Sequence, residues 1–167
     1  MTRSAIPSLM RIADSVHPGL PESPAVFTER VNLFPSGCLI LADDSTGKAG
    51  GYAISHPIRS GQPPDLDSLL GSIGEDADQY YIHDVAVLPE FRGKGAAAEG
   101  IRRLLGVAEG LGYETTCIVS VYGTGKFWER FGFVAGEVEG DLAEKLKGYG
   151  DDAAYMVRRN GRGEGGA

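Results

Sequence analysis

The chain has 167 residues, 42% of them hydrophobic and 23% charged, with a formal net charge of −7; this is soluble composition at a length that buries one proper core. The acidic balance argues against a nucleic-acid partner, whose binding rests on Lys and Arg neutralising phosphates, and is compatible with a cationic substrate. No apolar run reaches bilayer length and the N-terminus lacks a signal-peptide core, so a cytoplasmic protein with no membrane partner is expected.

In chain order, Ile6, Leu9, Met10, Ala13 and Val16 make one apolar face, and Pro7 suits a first helical turn. His17-Pro18 forbids further helix and opens a loop through Glu22. Ser23-Pro24 caps a second helix running to about Phe34. Cys38–Ala42 and 50–57 read as an antiparallel hairpin with a polar tip at 43–48. Cys38 and Cys117 both fall in apolar, strand-like runs and read as buried thiols of a reducing compartment, not as a disulfide or a metal site. Residues 59–79 form the longest irregular stretch, with one short helical piece expected near Asp67–Leu70.

The stretch from Tyr80 to Leu105 organises the chain. Its first half is rich in β-branched and aromatic residues, and Pro89 stops the ladder. Arg92-Gly93-Lys94-Gly95 is a tight turn, after which Ala97, Ile101, Leu104, Leu105 and Ala108 follow helical spacing. A strand, a glycine turn and a helix start bind anions. The first amides of the helix lack intrahelical partners, and the macrodipole adds positive charge there. The glycines remove the β-carbons that would hold a diphosphate away, and Arg92 and Lys94 add two cations. The alternative is that Gly93 and Gly95 serve only the turn.

Two phosphate-binding patterns fail. Neither Gly93-Lys94-Gly95 nor Gly123-Thr124-Gly125-Lys126-Phe127 completes a P-loop. Gly93-x-Gly95-x-x-Ala98 lacks the strand spacing and the ribose-binding carboxylate of a dinucleotide fingerprint. Arg92-x-x-Gly95-x-Ala97, after a strand and Pro89, resembles the acetyl-CoA diphosphate loop of the GNAT superfamily of N-acetyltransferases. Gly51-Tyr-Ala-Ile resembles an earlier strand of that family, and Phe127-Trp128-Glu129-Arg130-Phe131-Gly132-Phe133 its later helix-glycine-strand motif.

The resemblance implies an α/β (α+β) GNAT fold. Its sheet is mixed and mostly antiparallel, of about six or seven strands, with helices on both faces and a V-shaped splay between the two central parallel strands. It implies one domain over residues 1–159 and a flexible tail over 160–167. The first strand of that fold is absent, very short, or formed by residues 1–4. Asp141 to Asp152 reads as an insertion with a turn or two of helix, and 153–157 as the closing strand.

The resemblance also implies the site. Acetyl-CoA would lie along Val85, Ala86 and Val87, with Arg92, Gly93, Lys94, Gly95, Ala96 and Ala97 on its diphosphate, and Ser120, Lys126 and Phe127 nearby. The Val85 amide would serve the oxyanion. Ser120-Val121 stand where the family commonly has an asparagine, and Trp128 stands at the position of a tyrosine acid. An indole cannot donate a proton at ordinary pH, so Tyr122 is the candidate acid, the alternative being a surface aromatic.

His83 is the candidate base, since its ordinary pKa of about 6.5 suits taking an ammonium proton through water; the alternative is a structural histidine. Tyr81-Ile-His83-Asp-Val resembles the relay strand of arylalkylamine N-acetyltransferases. Strand alternation places Tyr81, His83, Val85 and Val87 on one face and Ile82, Asp84 and Ala86 on the other, unless a bulge intervenes. Asp84 reads as a paired, buried carboxylate; His17 and His56 read as structural. Tyr81, His83 and Glu22 are the candidate substrate contacts. The reading is an acetyl-CoA-dependent N-acetyltransferase for a small amine, by direct attack in a ternary complex, for which a homodimer is compatible. A protein or peptide acceptor, or a non-catalytic acyl-CoA sensor, is the alternative.

Overall fold

The computed structural model describes residues 1–161, which form two compact units. The first comprises residues 1–56, 67–72 and 82–104. Its chain opens with a single 3-10 turn over Arg3–Ala5, not a strand, and passes directly into helix α1, Ile6–Val16. Pro7 sits in the first turn, where its missing N–H costs nothing, and Ile6, Leu9, Ile12 and Ala13 are buried. Helix α2, Pro24–Leu33, starts the same way and buries Val26, Phe27, Arg30 and Val31. Strands β1, Cys38–Ala42, and β2, Ala49–Ile58, pair antiparallel with Cys38 opposite Ile54, and the register shifts at Leu41/Ala42. Asp43 shapes the tip. Its Oδ1 accepts from the Ser45 and Thr46 amides, and these bonds, with the Ser45 hydroxyl, bring its carboxyl down to about 2.

Strand β3, Gln79–Val87, ends at Leu88, whose N–H donates to the Gly50 carbonyl. The core of this unit joins Leu9, Ile12, Phe27, Val31, Cys38, Tyr52, Ile54, Ala86 and Leu88. After one 3-10 turn at Pro89–Phe91 comes helix α3, Ala96–Gly110. The helix closes as a Schellman motif: Tyr113 N–H donates to Ala108 O, Gly112 N–H to Glu109 O, and Gly112 takes φ +82.

Gly50 is required by close approach, since a β-carbon there would lie 2.2 Å from Cγ of Phe91. Gly50→Val should therefore cost about 2–3 kcal/mol, read as a lower urea midpoint at unchanged m-value. An unchanged midpoint would show that the Phe91 ring gives way freely.

Among the described residues, the second unit comprises 57–66, 73–81 and 105–161. Strand β4, Thr115–Ser120, pairs antiparallel with β6, Ala154–Arg159, and β6 pairs in turn with the two-residue β5, Val134–Ala135. Helix α4, Gly125–Glu129, leads through Gly132 at φ +86 into β5. Helix α5, Leu142–Lys147, is the expected insertion, and its Leu142 packs with Ile58, Tyr81, Cys117 and Tyr155. Burial pushes the Cys38 thiol up to about 11 and the Cys117 thiol up to about 12. Asn160 is tied in, its Nδ2 donating to Tyr113 O and its Oδ1 accepting from Thr116 and Arg158. The flexible tail expected over 160–167 lies, from residue 162, outside the described residues.

The strands run in the order β1-β2-β3-β4-β6-β5. The sheet is mixed, with one parallel pair and the rest antiparallel. The fold class expected from the sequence is the one found.

The helical piece expected at Asp67–Leu70 does not form. Asp67 adopts φ +54, which no helix accommodates, and the segment is fastened to α2 and its approach instead. Asp67 N–H donates to Glu22 Oε2 at 3.1 Å, and Asp67 Oδ1 accepts from Ser23 N–H at 2.7 Å. Leu70 and Gly71 amides donate to the two oxygens of Glu29, while the buried Arg30 donates to Ser68 O and Glu29. These carboxylates take the backbone donors that a helix would otherwise satisfy.

Candidate active site

The loop between β3 and α3 carries the two glycines of the expected anion site. Gly93 and Gly95 take φ +80 and +78, left-handed values that glycine tolerates without strain. A β-carbon built on either meets no atom within 4 Å, so the glycines are not demanded by protein packing. That openness is what a ligand lying against the backbone requires. Arg92 folds back, its Nε donating to Val87 O at 2.9 Å, which fixes the loop to the end of β3.

The backbone of β3 is also oriented. Leu88 N–H reaches Gly50, and the Ala86 carbonyl lies against Gly51, so the even-numbered residues turn their polar groups to β2. By alternation Val85 and Val87 turn theirs away.

All three histidines of the chain gather with two carboxylates in the first unit. His83 Nε2 lies 2.7 Å from Glu22 Oε1, the two side chains being 1% and 5% exposed. The His56 ring is 6.2 Å from that of His83, centroid to centroid. Asp84 is a paired carboxylate, partly buried: Oδ1 lies 2.8 Å from His17 Nε2, and Oδ2 accepts from the Tyr52 hydroxyl.

The strict alternation expected along β3 slips between His83 and Asp84. Tyr81 packs with Ile58, and His83 lies by His56; Asp84 meets Tyr52, and Ala86 packs with Tyr52 and Ile54. These partners on β2 are spaced by two and share a face, so consecutive His83 and Asp84 reach the same side, as at a β-bulge. Strict periodicity separates them, and a bulge is the exception that brings them together.

Burial works against the charge on His17, but the hydrogen bond and charge of Asp84, aided by Glu22, outweigh it and raise its pKa. Burial likewise works against ionised Asp84, and His17, Tyr52 and the nearby His83 outweigh it and lower its pKa. Burial first, then the charge of Asp84, pushes the Tyr52 hydroxyl far up, keeping it a donor.

The raised His17 contributes stability that is full below its unfolded value of about 6.5 and is lost as pH rises through the native one. Asp84 contributes above its unfolded value of about 3.9 and loses this as pH falls through its lowered native value. The urea midpoint should therefore decline as pH rises above about 6.5, and His17→Gln should flatten that decline. Equal slopes in the two proteins would take the pair out of the pH dependence.

Glu22, one of the expected substrate contacts, spends both carboxylate oxygens inside the protein, on His83 and Asp67. Tyr81 is fully buried.

In the second unit, Trp128 is buried against Phe127, Phe131 and Phe133. It packs and presents no acid. Tyr122 is half-exposed and, unusually for a tyrosine, adopts φ +56 in the turn closed by Thr124 on Val121 O. The buried Ser120 hydroxyl bonds to Thr124 Oγ1 at 3.1 Å, while Lys126 and Phe127 lie on α4.

The sequence model of the acetyltransferase (GNAT) family matches residues 6–133. The chain belongs to this family. No curated protein matches the sequence. Among solved structures, the GNAT fold of this chain is similar to that of the GphF GNAT-like decarboxylase in complex with isobutyryl-CoA, at 17% identity and TM-score 0.78, covering 96% of this chain and 97% of that one. Rv2747 from Mycobacterium tuberculosis, in complex with CoA and NLQ, is 20% identical at TM-score 0.67, covering 94% and 95%. Naa20 from Chaetomium thermophilum, in complex with a bisubstrate analogue, is 16% identical at TM-score 0.70, covering 97% and 85%. Neither the Glu22–His83 pair nor the Asp84 partners appear in any short motif; their signal is two carboxylates and three histidines spread across the first half of the chain.

Proposed function

We propose that this GNAT protein is an acetyl-CoA-dependent N-acetyltransferase acting on the amine of a small molecule by direct attack. The observation that carries this reading is His83, its side chain buried against the Glu22 carboxylate, on the strand that runs into a glycine-opened loop at the start of α3. The loop's residues fit a coenzyme A diphosphate: amides of 93 and 95–97, two glycines leaving open space, and the cations of Arg92 and Lys94. When bound, the coenzyme supplies an activated acyl thioester.

The chain's own residues do the rest. Val85 N–H is the proposed donor to a developing oxyanion, and Val87 the residue proposed to hold the pantetheine arm by strand-like bonds. His83 takes the ammonium proton through water, since a side chain this buried does not meet the acceptor directly. Tyr122 is the residue proposed to return a proton to the thiolate, its left-handed backbone being strain of the kind found at working sites.

Thiol release measured against a panel of amines, amino sugars and peptides tests the reading. Turnover with small amines is expected. Turnover with peptides alone would assign a protein acceptor instead. The packing of Trp128 at the tyrosine position favours one second reading, an acyl-CoA sensor. Tight CoA binding with no turnover on any acceptor would establish that reading and overturn the first.

A further inference from the structure

We infer that Glu22 is the positioning residue of the base, its carboxylate holding the His83 ring in one tautomer and one orientation. The inference rests on His83 being the base proposed above. A carboxylate is acceptor-only when ionised, so the ring nitrogen that faces Glu22 Oε1 at 2.7 Å carries the hydrogen. In the neutral ring the lone pair is then on Nδ1, which is the atom that receives the amine proton.

Burying a carboxylate to 5% exposure from a loop is costly unless its oxygens are paired, and both are. Oε2 accepts the Asp67 amide at 3.1 Å, while Asp67 Oδ1 accepts the Ser23 amide at 2.7 Å, so residues 22–23 and 67 grip each other reciprocally. Glu29, bonding the Leu70 and Gly71 amides, keeps that grip from fraying. The carboxylate is thereby fixed from behind while it fixes the imidazole in front. This is the arrangement by which a third group orients a base.

The other charged groups around His83 do not do this work. Asp84, its neighbour on the strand, is taken up by His17 and Tyr52. His56 faces the ring at 6.2 Å and brings no carboxylate. On each turnover Nδ1 gains the proton lost by the ammonium, Nε2 keeps its own toward Glu22, and Nδ1 then yields its proton to water.

The test uses ring-labelled ¹⁵N-histidine in the full chain at about pH 8.5, two units above the ordinary imidazole value of about 6.5. The wild-type protein should show His83 protonated on Nε2 alone. Glu22→Gln, which keeps size but leaves one acceptor oxygen for the Asp67 amide and turns its NH2 to the ring, should spread the proton over both nitrogens and lower kcat roughly 10- to 100-fold with KM within about twofold. Glu22→Asp keeps the charge and should restore the single tautomer. A His83 ring protonated on Nδ1 in the wild type, or a spectrum unmoved by Glu22→Gln, would overturn the inference whatever the rates. An altered ring spectrum with unaltered kcat would leave Glu22 holding the ring and would overturn the base reading instead.

Discussion

Gly95→Val is expected to weaken coenzyme A binding by at least about 100-fold, or about 2.7 kcal/mol, while costing the fold less. The fold cost comes from one source. Gly95 sits at φ +78, where an L-residue is strained by about 1–2 kcal/mol. Steric clash adds nothing, because a β-carbon there meets no protein atom. The space it would fill is the space in which the diphosphate is proposed to lie, so the ligand bears both the blocked approach and any shift of the loop. Calorimetric titration with CoA beside urea unfolding reads the two costs separately. Equal losses in binding and stability would mean that the loop's glycines serve only the turn.

His83→Ala should lower the rate by about 10²–10³-fold near neutral pH, with the deficit shrinking as pH rises. The sign follows from the acceptor. Near neutral pH nearly all of the amine is ammonium and must lose a proton on the enzyme, so a missing base is felt fully. At high pH free amine is abundant and the base matters less. The substitution also strands the Glu22 carboxylate in a buried site, so a stability loss accompanies it. His83→Gln retains a donor toward Glu22 and separates the two effects. A rate–pH profile parallel to wild type in His83→Gln would remove this residue from proton transfer.

The elements that local chemistry dictates were legible in the sequence. Pro7 and Pro24 start their helices, Pro89 stops β3, and Gly112 and Gly132 close the helices before them. The hairpin of β1 and β2 and the cysteines' burial followed from alternation and apolar runs. What escaped was long-range. Asp67 reads as the start of a helical turn until Glu22 and Glu29, some forty residues away, claim the backbone donors of its segment. His17 and His56 read as structural beside their prolines, but the sequence does not give their partners: one pairs with Asp84 and the other lies by His83.

The site was legible in pieces. His83, Glu22 and Gly95 each stood out, while their roles depended on pairings that no spacing rule encodes. The slip in β3 between His83 and Asp84 was open as a bulge, but its position rests on the partners Glu22, Tyr52 and His17, far away in sequence.

The central claim is that the main-chain amides of the glycine loop hold the coenzyme's diphosphate. A ¹H–¹⁵N titration of the full chain with CoA tests it most directly. The amide signals of Gly93, Gly95, Ala96 and Ala97 should move furthest and saturate together with those of Val85 and Val87. Saturable CoA binding that leaves the loop amides in place would contradict it.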